Sequence, residues 1–202
     1  MELLLHAKRP AANPTAREAT LTRRAAFLIC LVVSGCTGIG AAPTPSPGTG
    51  ESRRADERQG AYTLGFELPK TTWRSGEAIG GTATLHLASA NSADVSGSGS
   101  GLIGFDFAEV GGSRHVVLVQ TSDCRPYRLD LDKPMESAIV KSGAFYPEQK
   151  DFEFYRSFLT DPLVRLPAGE WTIAAVASFT EGRGCTGKGR TLRAAVKVRI
   201  TP

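Results

Sequence analysis

The sequence has few of the residues that metal sites and enzyme active sites usually require. Only three of its 202 residues are histidines, His6, His86 and His115, and no two of them have a metal-ligand spacing. No Gly-x-Ser-x-Gly motif marks a nucleophilic serine. The sequence therefore predicts a protein that is not an enzyme and that holds neither a metal nor a cofactor.

Long hydrophobic runs are also missing. The longest apolar stretch, Ala25 to Val33, covers nine residues, whereas a membrane-spanning helix needs roughly 20. Arg23 and Arg24 precede this stretch, and small residues follow it up to Cys36, which is the order of segments in a secretory signal. The pattern therefore predicts an export signal over residues 1–35.

The end of this leader, Val33-Ser34-Gly35-Cys36, resembles the lipobox of bacterial lipoproteins. The resemblance implies that Cys36 carries a diacylglyceryl group, that the leader is cut before it, and that acyl chains hold the protein on the cell membrane or outer membrane, outside the cytoplasm. The alternatives are an uncleaved leader and a soluble secreted protein.

Net charge excludes a further class of partner. The chain has 24 basic and 20 acidic side chains, but five basic and only two acidic ones lie in residues 1–35. The remainder is almost neutral, at about +1, and binding to nucleic acid needs a dense basic face. We therefore expect no nucleic-acid partner.

Composition divides the rest of the chain in two. Residues 36–60 are rich in Gly, Pro, Ser and Thr and show no apolar periodicity, which favours a flexible tether after the lipidated cysteine. Residues 61–202 are enough for one hydrophobic core, so we predict a single domain there.

Alternation of apolar and polar residues indicates that this domain is all-β. Short strands joined by glycine-rich turns favour a sandwich or a barrel. The segments with the strand pattern are 62–68, 83–87, 103–110, 115–121, 127–131, 171–179 and 192–200.

Two turns carry a second resemblance. Leu166-Pro167-Ala168-Gly169-Glu170-Trp171-Thr172-Ile173 and Trp73-Arg74-Ser75-Gly76-Glu77-Ala78-Ile79 resemble the late and early turns of bacterial immunoglobulin-like domains. The resemblance implies an immunoglobulin-like antiparallel β-sandwich of about seven strands.

Residues 149–163 fit two structures. Phe152 and Phe154 alternate as in a strand, whereas Phe152, Tyr155, Phe158 and Leu159 share one helical face. A short helix or an irregular crossing between strands is the favoured interpretation.

The cysteines predict one disulfide. Cys30 lies in the leader and Cys36 carries lipid, so Cys124 and Cys185 form a pair in an oxidising compartment. Such a bridge encloses about 60 residues, which corresponds to a stabilisation on the order of 4 kcal/mol. The alternative is a redox pair or a thiolate metal site.

Two glycine-rich segments imitate nucleotide-binding motifs. Gly99 to Gly104 has the spacing of a dinucleotide fingerprint and Gly182 to Lys188 that of a P-loop, but strand-like sequence follows each of them. Phosphate binding needs a helix N-terminus there, so we expect hairpin loops and no nucleotide. In the second loop Arg183, Lys188 and Arg190 form a candidate anion contact, with solvated turn charges as the alternative.

These observations favour a membrane-anchored lipoprotein whose β-sandwich binds an envelope protein or polymer. The alternative is a proteinase-inhibitor-like or enzyme-accessory lipoprotein, and a hydrolase with an unrecognised site is a more distant one. No feature of the sequence names the partner.

Overall fold

The structure, a computed structural model, describes residues 53–202. The leader, Cys36 and most of the predicted tether lie outside the described residues. The described part of the chain forms eleven strands in two sheets, with one helix. The elements are β1 (Arg54–Gln59), β2 (Tyr62–Glu67), β3 (Thr72–Arg74), β4 (Thr82–Leu87), β5 (Ser92–Gly97), β6 (Ile103–Glu109), β7 (His115–Val116), β8 (Arg125–Asp130), β9 (Met135–Ala138), α1 (Phe152–Thr160), β10 (Gly169–Glu181) and β11 (Gly189–Thr201).

The smaller sheet has the order β1-β2-β4-β9 and is antiparallel throughout. Its first strand corrects the predicted tether, because Arg54–Gln59 pairs with β2 instead of belonging to a linker that ends at residue 60. The two strands are joined by a tight turn in which Gly60 has a φ of 63°. As an edge strand β1 lies almost wholly in solvent, so it lacks the apolar alternation by which a strand is recognised.

The larger sheet is built on the long hairpin of β10 and β11. β11 pairs with β10 on one side and, in parallel, with β3 on the other. The opposite side of β10 pairs with β6 over Trp171 to Ala177 and with β5 at Thr180 and Glu181. β8 then pairs with β5, and β7 pairs with β6.

The two sheets pack face to face around aromatic and aliphatic side chains. The rings of Tyr62 and Phe179 lie 4.9 Å apart, and those of Phe66 and Phe105 lie 5.7 Å apart, each pair joining the two sheets. The predicted all-β sandwich is confirmed, although it has eleven strands where about seven were expected.

One predicted strand is confirmed only in part. Of residues 115–121, only His115 and Val116 pair with β6. Beyond them the amide of Leu118 donates to Oδ1 of Asp106 at 2.6 Å, and the amide of Val119 donates to Oγ of Ser142 at 3.2 Å. Side-chain acceptors thus replace the ladder, which is why the strand stops although the residues favour one.

The ambiguous segment 149–163 contains a helix, α1, as favoured from its sequence. Phe158 is buried and its ring lies 5.2 Å from Phe107 on β6, while Phe154 lies 5.7 Å from Trp171 on β10. Phe154, rather than Phe152, therefore shares the packed face with Phe158. The helix covers the sandwich beside β7.

Candidate binding groove beside strand β7

A groove with a volume of about 430 Å³ lies between the β7 strand and the start of α1. Its apolar walls come from Val116, Val117, Val119, Ala144 and Leu159. Its polar end is formed by Ser113, His115, Gln149, Lys150, Asp151 and Tyr155. We call this cavity the β7 groove.

The residues that follow β7 expose apolar side chains to the groove. Val117 and Val119, which line it, are 53% and 55% exposed. Contiguous exposed apolar side chains on a soluble domain often mark an interaction site.

Helix α1 is fastened to β7 by a tyrosine. The hydroxyl of Tyr155 accepts a hydrogen bond from the amide of His115 at 3.1 Å and donates one to the carbonyl of the same residue at 3.2 Å. One side chain therefore satisfies both main-chain groups at the end of the strand, in place of a neighbouring strand.

A second tie comes from the residue before the helix. Asp151 has a φ of 62°, in the left-handed region, and its carboxylate makes no capping bond to α1. Instead Oδ2 accepts a hydrogen bond of 2.7 Å from the hydroxyl of Ser113, on the loop before β7. Aspartate tolerates this conformation better than most residues, and the bond closes the polar end of the groove.

An ion pair supports the helix from beneath. The guanidinium of Arg114 lies 5.2 Å from the ring of Phe154 and 5.1 Å from that of Trp171, and it donates to Glu109 at 2.8 Å. These hydrogen bonds hold the pKa of the Glu109 carboxyl below its usual value. The pair is mostly shielded from solvent and joins the β6–β7 hairpin to α1.

The far end of α1 is held by a lysine. The ammonium of Lys141 donates to the carbonyls of Phe158 and Asp161 and, at 2.7 Å, to that of Leu163. These carbonyls lie at and just beyond the helix C-terminus, where free acceptors and the helix dipole favour a cation. Burial lowers the pKa of this ammonium. Lys141 therefore fixes the segment that forms the wall opposite β7.

The predicted disulfide is present. Cys124 and Cys185 are joined with their Cα atoms 6.0 Å apart, and they link the loop before β8 to the loop between β10 and β11. Both residues are exposed. The bridge does not cross the core between the two sheets, unlike the disulfide of antibody domains.

Beside the bridge lies a network of hydroxyl groups that ends on Asp123. The Oγ of Ser98 lies 2.7 Å from that of Ser100 and 2.8 Å from Oγ1 of Thr121, which donates in turn to Asp123. The hydrogen bond from Thr121, with others from the amide of Gly99 and from Arg125, lowers the pKa of Asp123 to about 2. All these groups have partners, so the network fixes the loop.

The candidate anion loop is largely neutralised by neighbouring acids. Nε of Arg183 lies 3.1 Å from Asp94, and Nη2 of Arg190 lies 2.7 Å from Glu181. Lys188 alone of the three predicted residues makes no ion pair within the described part of the chain. Two of the three positive charges are therefore neutralised by local ion pairs.

Both glycine-rich lookalikes lead into strands, as expected. Gly99 to Gly104 runs into β6, and Gly182 to Lys188 is the loop of the β10–β11 hairpin. Across residues 53–202 no three metal-ligating side chains form a group, and no helix is both long and apolar enough to cross a membrane.

The two turns that carry the second resemblance each combine a glycine of positive φ with a buried tryptophan. Gly169 has a φ of 144° and precedes Trp171, which is fully buried at the start of β10. In the early turn Trp73 is buried and Gly76 has a φ of 83°. Comparison of the chain with protein-family models found no matching family, and comparison with curated proteins found no relative.

The β7 groove was not predicted from the sequence. A signal was present, because His115-Val116-Val117-Leu118-Val119 is apolar at both odd and even positions. A half-buried strand needs only one apolar face. In a segment that is apolar on both faces, the second face either packs against another element or is exposed to solvent. Here Val116 is buried, and Val117 and Val119 are exposed.

Proposed function

We propose that the chain is a membrane-anchored lipoprotein whose β-sandwich is an interaction module for a protein of the cell envelope. The observation that carries this proposal is the exposed apolar surface of the β7 groove, where Val117 and Val119 are each more than half exposed. Burying such surface contributes about 25 cal/mol per Å², so a partner that covers it gains affinity. Apolar walls suit a protein partner better than a charged envelope polymer.

The lipid anchor is the second part of the proposal. Acylation of Cys36 would hold the domain at a membrane, and the segment between Cys36 and the first described residue would span about 50 Å if extended at ~3.1 Å per residue. The groove would then meet partners close to that membrane.

Crosslinking in intact cells tests the interaction. A photoreactive amino acid is placed at Val119, in the groove. The matched control is the same amino acid at Lys197, which is exposed on β11 and does not line the groove. We expect one envelope protein to be captured from position 119 and not from position 197. Equal capture from both positions, or none from position 119, would contradict the proposal.

The anchor is tested by Cys36→Ala, with Cys30→Ala as the matched control. We expect the first variant to leave the membrane fraction and the second to stay in it, as judged by fractionation of cells. Retention of Cys36→Ala in the membrane would rule out anchoring through this cysteine.

A further inference from the structure

The main chain along β7 alternates between two sides. On the side of β6, the amide of Leu118 donates to Asp106. On the side of α1 and the groove, the amide and the carbonyl of His115 are both bonded to the Tyr155 hydroxyl, and the amide of Val119 donates to Ser142. Alternate residues of an extended chain direct their main-chain groups to the same side.

Val117 stands between His115 and Val119 and lines the groove. Its amide and its carbonyl have no hydrogen-bond partner among residues 53–202. On this side of the chain, hydrogen bonds are therefore made by the main chain of His115 and by the amide of Val119, but not by Val117 between them. A free donor and acceptor on one residue are what a neighbouring strand uses in antiparallel pairing.

The charges of the groove do not select a strongly charged partner. Lys150 and Asp151 are adjacent at its polar end and carry opposite charges. Recognition must then rely on main-chain hydrogen bonds and apolar contacts, as when a peptide adds a strand to the edge of a sheet.

We infer that the β7 groove binds an extended peptide segment of the partner protein, of which one residue pairs its main chain with Val117, between the groups that Tyr155 and Ser142 already occupy, and which places apolar side chains against Val117, Val119 and Ala144. This inference rests on the proposed function and names the form in which the partner is recognised. Because the groove has no net charge that attracts the peptide, we expect the affinity for the peptide to change little with salt concentration.

A display library of random nine-residue peptides provides the probe. The full chain, purified in detergent, is used to select peptides, whose affinities are then measured for the wild type, Val117→Pro and Val117→Thr. Proline removes the amide hydrogen, whereas threonine keeps the main chain and nearly the same shape. We expect Val117→Pro to weaken binding about tenfold, the loss of one to two hydrogen bonds, and Val117→Thr to weaken it less.

A measurement on the unmodified protein guards against misfolding of the proline variant. Amide hydrogen exchange at Val117 is followed with and without a selected peptide, with Val110 as a control amide that is already bonded to Glu170. We expect the peptide to slow exchange at Val117 and to leave Val110 unchanged.

Failure of this inference is distinguishable from failure of the proposed function. If no peptide is selected, or if selected peptides leave exchange at Val117 unchanged, strand pairing is overturned while specific crosslinking from position 119 still supports an interaction module. If crosslinking from position 119 captures nothing, the module itself is refuted.

Discussion

Two kinds of sheet edge occur in this domain, and they are protected in different ways. The edge strands β1 and β8 are rich in exposed charges and include Arg54, Asp56, Arg125 and Arg128, with Pro126 also in β8. Charges and proline on an edge strand prevent it from pairing with another chain. The β7 edge has apolar side chains instead and is covered by α1, which leaves Val117 open.

The comparison teaches that exposure of the β7 edge is selective. A domain that merely avoided aggregation would protect this edge as it protects β1 and β8. Helix α1 is held over β7 by contacts between residues that are distant in sequence. Removing these contacts one at a time shows how much each of them contributes to the protection of the β7 edge.

The largest effect is expected from removing the packing that holds α1 over β7. Phe158→Ala deletes a ring that is 3% exposed and packs on Phe107, so we expect a loss of about 4 kcal/mol in the free energy of unfolding. Urea denaturation measures it. Arg156→Ala, on the exposed side of the same helix, is the control and should cost less than about 1 kcal/mol. Equal losses in both variants would show that α1 is not the cover.

The disulfide beside the β8 edge should have the next largest effect. Replacing Cys124 and Cys185 together by serine removes a crosslink between residues 61 apart in sequence, so we expect a loss of about 3–4 kcal/mol by the same measurement. Since neither cysteine lines the β7 groove, crosslinking from position 119 should be unchanged. Loss of groove-dependent crosslinking would show that the two edges are coupled.

Tyr155→Phe should leave the main-chain groups of His115, on the β7 edge, without hydrogen-bond partners. The change removes the hydroxyl that bonds both main-chain groups of His115, so we expect a loss of about 1–2 kcal/mol and faster amide exchange at His115. Tyr146→Phe is the control, because Tyr146 is 64% exposed. Unchanged exchange at His115 would contradict the capping role.

The smallest effect concerns the loop before β8 and depends on pH. Folding lowers the pKa of Asp123 from 3.8 to about 2, so the carboxylate stabilises the fold above pH 3.8 and this contribution is lost as the pH falls towards 2. We expect Asp123→Asn to remove this part of the pH dependence, and Asp132→Asn, at an exposed turn position, to leave it unchanged. Denaturation curves recorded from about pH 5 to about pH 2, the range in which carboxylates titrate, provide the measurement.

Much of the sandwich is predictable from sequence because its central strands alternate regularly. In β11 every second residue from Leu192 to Ile200 is buried, and the residues between them are exposed. The disulfide is predictable as well, because Cys124 and Cys185 are the two cysteines within the predicted β-domain, residues 61–202. Edge strands such as β1 escape this reasoning, since a strand that is paired on one side and solvated on both faces has no periodic signal.

The groove is less predictable because its parts are distant in sequence. The hydrogen bonds between Tyr155 and His115 join residues 40 positions apart, and that between Asp151 and Ser113 joins residues 38 apart. Neither pair has a motif. What the sequence does show is the doubly apolar run at residues 115–119, which indicates an additional contact without identifying it.

The β10–β11 hairpin has a consequence for the order in which the domain assembles. Twelve residue pairs join the two strands across a short loop, so the hairpin can form locally and early. Every other strand of the larger sheet comes before it in the chain, and β3 pairs directly with β11, across more than a hundred residues. In a chain synthesised from its N-terminus, β3 and the edges of β5 and β6 that face β10 therefore remain unpaired until the hairpin has followed. During that interval these edges are exposed to non-native pairing.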